Sequence, residues 1–136
     1  MTRFAGSLDA NLLLRLLLND VPEQHKAALG LFSKVIGQFT VSDTAIIEVV
    51  FVLTGKTYNL TRKQAVEAIQ ELMKLKEINC NRALFEKALP MFAKHHGLSF
   101  EDCCLSVYAQ LNDAEPLWTF DQKLANQVPN SKSVAA

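Results

Sequence analysis

The chain has 136 residues, 49% of them hydrophobic and 21% charged, with 14 Lys and Arg against 14 Asp and Glu. This is the size and balance of one globular domain with room for a sizeable core. A net charge of zero excludes a general electrostatic grip on nucleic acid, so any such binding must come from a local patch.

Arg3 to Leu8 reads as a short apolar strand that hands over at Asp9 to a helix ending near Asn19. The leucine run of that helix is broken at Arg15, and no stretch reaches the roughly 18 apolar residues of a membrane span. No cationic start, apolar core and small-residue cleavage site follow one another as in a secretory signal. Asp20-Val21-Pro22-Glu23 reads as a helix start with a capping acid, and that helix runs to Gly37. Phe39 to Val41 is a short strand, because Gly37 ends one helix and Ser42 can cap the next. The helix after Ser42 carries Ile46, Ile47, Val50, Phe51 and Leu53, with Glu48 among them.

Thr61-x-x-Gln64 matches a capping box for a helix reaching about Leu75. Ile78 to Cys80 is a third strand, and Asn81 caps a helix that stops at Gly97. Ser99 opens the next helix, with an acid three residues on at Asp102. Leu117 to Phe120 is a fourth strand ending at Asp121, and Gln122 to Gln127 a short helix. The tail from Pro129 to Ala136 reads either as a last edge strand or as a frayed end. Strands alternate with helices and no hairpin signal appears, which predicts an α/β domain over residues 1–136 with a parallel sheet covered on both faces.

Asp9 and Asp121 each end a strand, and in one parallel sheet such ends share an edge, where α/β folds place ligands. Glu48, in the second turn of a helix that follows a strand, is expected near that edge. Asp102 is not positioned by this reasoning, but its place in a first turn favours its ionised form. Clustered carboxylates repel and need protons or a cation to coexist. Hard oxygen ligands around an open crevice suit magnesium or manganese, which can activate water against a phosphodiester. Each acid also has a structural reading: Asp9 a cap, Asp102 a first-turn acid, Asp121 a turn residue. Glu48 is the hardest to explain that way, because carboxylates seldom sit among Ile, Val and Phe unless paired.

The blocks Ser7-Leu-Asp9-Ala-Asn11-Leu-Leu-Leu-Arg15, Ser42-x5-Glu48-Val, Leu98-Ser-Phe-Glu-Asp102 and Trp118-Thr119-Phe-Asp121 together resemble the signature blocks of PIN domains. More narrowly, the chain looks like the ribonuclease toxins of bacterial VapBC toxin–antitoxin pairs. The resemblance runs from about Arg3 to about Gln127. It implies a three-layer α/β/α domain with a central parallel sheet. It also implies an endoribonuclease dependent on Mg2+ or Mn2+, with Asp9, Glu48, Asp102 and Asp121 as metal ligands. Thr119 fits the family's Thr or Ser near the last acid, and Asn11 its supporting polar position after the first. A cognate antitoxin, a homodimer, an RNA substrate and a cytoplasmic setting are implied as well. Ala10 departs from a frequent Thr, and the end after Pro129 is hard to match to a final strand.

Other features have simpler readings. Cys80, Cys103 and Cys104 are an odd set without C-x-x-C spacing, read as free thiols in a reducing cytoplasm. His95-His96 reads as a solvated helix end, since neighbours on a helix diverge. Trp118 reads as core, and Arg15, Arg62, Lys63, Lys94 and Lys123 as scattered surface charge. The alternative function is a non-catalytic PIN-like scaffold for protein or RNA. A receiver domain lacks its acidic pair and late lysine, and a D-x-D phosphatase fails at Asn11.

Overall fold

A computed structural model describes residues 4–135. Among them the order is β1 (Gly6–Ser7), α1 (Ala10–Leu17), α2 (Pro22–Lys34), β2 (Phe39–Thr40), α3 (Asp43–Thr54), α4 (Arg62–Met73) and β3 (Ile78–Asn79). There follow α5 (Arg82–Lys94), α6 (Phe100–Leu111), β4 (Leu117–Thr119), α7 (Gln122–Gln127) and β5 (Ser131–Ser133). Two compact units divide the chain, the first ending at Asn81 and the second starting at Arg82. Arg3, where the first strand was expected to begin, lies outside the described residues.

In the first unit β2 is the central strand, paired in parallel with β1 (Gly6 opposite Phe39) and with β3 (Phe39 opposite Ile78). Backbone bonds extend the ladder past the strand ends, from Leu8 N to Thr40 O at 3.0 Å and from Val41 N to Asn79 O at 2.8 Å. Leu13 on α1, Ile46, Val49 and Leu53 on α3, and Ile69 and Leu72 on α4 are buried, as the 3.6-residue period requires of helices that pack in sequence. The capping box of α4 forms in both directions: Gln64 N donates to Thr61 Oγ1 (3.1 Å) and Thr61 N to Gln64 Oε1 (2.9 Å).

The start of α2 differs from expectation. Val21 is the N-cap and makes no side-chain cap bond. Asp20, expected to cap, accepts instead from Arg15 Nη1 (2.8 Å) and from Tyr58 Oη (2.5 Å). Arg15 Nη2 in turn donates to the Tyr58 oxygen at 3.1 Å. The guanidinium and the phenol together give the carboxylate two bonds and a counter-charge, where a cap would give it one bond to a backbone N–H, so the tertiary partners win.

In the second unit α5 and α6 pack through Phe85, Phe92 and Phe100. The Phe85 ring stacks on Phe100 at 6.0 Å and Phe92 meets Phe100 edge-on at 5.4 Å. Cys103 and Cys104 are buried on the same helix, and none of the three cysteines is in a disulfide. The chain end holds β5, parallel to β4 with Leu117 opposite Ser131. It is fastened by Asn130, which accepts from Ser106 Oγ (2.9 Å) and donates to Ser106 O (3.0 Å). The strands therefore form two parallel sheets, β1–β2–β3 and β4–β5. Trp118, expected in the core, is 61% exposed, and Phe120, just past the end of β4, is exposed too.

Candidate active site

Asp9 stands where β1 gives way to α1. Its backbone is extended (φ −86°, ψ 171°), and its Oδ1 accepts from Leu12 N at 2.9 Å, so the residue is the N-cap of α1. Among the described residues Oδ2 makes no hydrogen bond. Ser42 caps α3 in the same way, accepting from Ala45 N at 3.1 Å. Asn81 Nδ2 donates to Asp43 Oδ2 at 3.2 Å, which ties the end of β3 to the first turn of α3.

These junctions enclose a cavity of about 680 Å³ beyond the carboxyl ends of β1, β2 and β3. Asp9 and Glu48 both line it, beside Thr40, Ser42 and Asn79, and among the described residues no lysine or arginine does. Glu48 is thus brought to the strand ends as expected, from the second turn of α3, but it is not set among apolar side chains. Its side chain is exposed, while Ile46, Val49 and Val50 turn inward. The apolar company seen in the sequence is on the other side of the helix. Phe51, on the same helix, is 76% exposed.

In the second unit Asp102 is half-buried in the first turn of α6, and its backbone N–H donates to the Ser99 cap at 3.0 Å. Asp121 follows β4 and caps α7, with Oδ1 accepting from Lys123 N (2.9 Å) and Leu124 N (3.2 Å). Thr119 Oγ1 accepts from Asp121 N at 2.9 Å, a local turn that fixes the backbone of the acid. Asn11 is exposed and bonds to no described residue; it lines a second cavity, between α1 and α2, that also touches Asp9.

The carboxylates of Asp9 and Glu48, with neighbouring hydroxyl and amide oxygens, are a hard-oxygen donor set that fits magnesium or manganese better than a soft ion. Among the described residues, however, no three His, Cys, Asp or Glu stand together as a metal-holding group. No helix among them is long and apolar enough to cross a membrane.

The family model of the PIN domain matches residues 7–128, and the chain belongs to that family, a nuclease superfamily with a three-layer α/β/α fold. The seven helices and the uniformly parallel strand pairs agree with it. No curated protein and no solved structure matches the chain.

Proposed function

We propose that this protein is a divalent-ion-dependent endoribonuclease of the toxin type, held in check by a cognate antitoxin in the cytoplasm and acting as a homodimer. Asp9, Glu48, Asp102 and Asp121 are its metal ligands, and Thr119 and Asn11 support them. The observation that carries the reading is the pair Asp9 and Glu48 on one cavity at the carboxyl ends of three parallel strands, with no basic side chain among its described lining residues.

A bound Mg2+ or Mn2+ supplies an activated water and offsets charge that builds on the phosphate. The chain's own part is to hold oxygens in place. Leu12 N fixes one oxygen of Asp9 and leaves the other available. Lys123 N and Leu124 N fix Asp121 likewise, and Thr119 holds its backbone. No side chain is required as nucleophile, and the buried thiols of Cys103 and Cys104 take no part.

The test is cleavage of mixed cellular RNA by the purified protein with manganese, alongside a chelator control and the Asp9→Asn, Glu48→Gln and Asp121→Asn variants. Each variant is expected to lose at least ~100-fold in rate, the scale of removing one electrostatic group from an active site. Calorimetric titration with manganese accompanies it. A protein that neither cuts RNA nor binds the ion is a scaffold, and the enzyme reading then fails.

A further inference from the structure

The second cavity, about 410 Å³ between α1 and α2, adjoins the first and shares Asp9 with it. Its walls are Leu12, Ala28 and Leu31, and the small alanine side chains leave a slot between the two helices. Asn11 and Gln24 stand at its rim with Arg15. We propose that this slot binds one nucleobase of the RNA beside the scissile phosphate and reads its edge. The inference rests on the ribonuclease reading and names the part of that site that selects sequence.

Charge favours a base over a phosphate. The Arg15 guanidinium is already paired with Asp20 at 2.8 Å, and Asp9 brings a negative charge to the same cavity. A neutral, flat heterocycle meets no repulsion there and finds apolar faces above and below. The volume lies toward the low end of small-molecule sites, roughly 300–1,000 Å³, and suits a base with its ribose. Two primary amides at the rim can each donate and accept, the capacity needed to tell base edges apart. Continuity through Asp9 puts a base held here within one nucleotide's reach of the carboxylate cavity.

The experiment is methyl NMR of the full chain in chelator, where no cleavage can occur. Adenosine, guanosine, cytidine and uridine 5′-monophosphates are titrated in turn, with ribose 5-phosphate as the control. The Ala27, Ala28, Leu12 and Leu31 signals should shift with one or two of the bases and not with ribose 5-phosphate. Gln24→Ala should weaken that binding roughly threefold to tenfold, the range of one hydrogen bond. Ala27→Trp, at an exposed position on the slot, should abolish it while the Val49 and Val50 signals stay in place. Shifts of equal size with ribose 5-phosphate, no shift with any base, or binding untouched by Ala27→Trp each overturn the proposal. So does a leucine-rich amphipathic peptide that moves these methyls where no nucleotide does, which makes the slot a protein-docking groove. Base binding by a protein that never cuts RNA or binds manganese leaves the slot standing and removes the nuclease reading alone.

Discussion

The Asp9 carboxylate caps α1 through Oδ1 and leaves Oδ2 without a donor among the described residues. Asparagine caps a helix about as well as aspartate but carries no charge, so the two roles separate by substitution. Asp9→Asn is expected to unfold in urea close to wild type and to lose cleavage, whereas Asp9→Ala should lose cleavage and also about 1 kcal/mol of stability. Asp20 gives a pH signature. The Tyr58 hydroxyl, helped by Arg15, holds its carboxyl below the ordinary value of 3.8. Stability from a depressed carboxyl is complete above the unfolded value and is lost as pH falls through the folded one. Tyr58→Phe should therefore lower stability near pH 7 and flatten the acid limb below about pH 4, so that the variant and the wild type converge at low pH. An identical acid limb in the variant would show that the phenol does not hold Asp20 in solution. None of this was legible in the sequence, where Arg15 read as loose surface charge, because Tyr58 lies 43 residues from Arg15 and only folding joins them.

Helix starts were the most readable elements, because a cap is local chemistry. Ser42, Thr61 and Ser99 cap α3, α4 and α6 as their spacing indicated. Thr61→Ala removes half of a reciprocal box and is expected to cost about 1 kcal/mol in chemical denaturation, with Gln64→Ala costing less. Asp20 failed the same reading because a stronger tertiary partner competes for it. Glu48 was placed near the strand ends by its turn of α3, but the apolar surroundings read for it were wrong. With Ile46, Ile47, Val49, Val50 and Phe51 around it, α3 is apolar nearly all round, so pattern alone does not say which side faces solvent. The slot between α1 and α2 had no sequence signal, since its walls come from two helices whose pairing is a tertiary fact.

For the molecule as a whole, the balance of 14 basic and 14 acidic residues limits how RNA can be held. Few phosphates can be neutralised at once. Binding of single-stranded RNA to the Asp9→Asn protein should follow salt with a log–log slope shallower than about −3. A steep slope would reveal a concentrated basic surface that the net charge conceals. The parallel α/β class was readable from the alternation of strands and helices, and every strand pair is parallel. The division of the strands between two ladders was not, since strands of two or three residues carry too little pattern to reveal their neighbours. Trp118 shows the same limit: a mid-strand tryptophan suggests core, yet its side of β4 is uncovered.

Arg15, Asp20 and Tyr58 form a closed triangle, so the history of one position is tied to the other two. Loss of the phenol leaves an acid and a guanidinium with one contact fewer each, and loss of the arginine leaves the acid without its counter-charge. Among descendants of a common ancestor the three should be replaced together or retained together. An alignment in which they drift independently would mean that the triangle imposes no constraint on how this chain evolves.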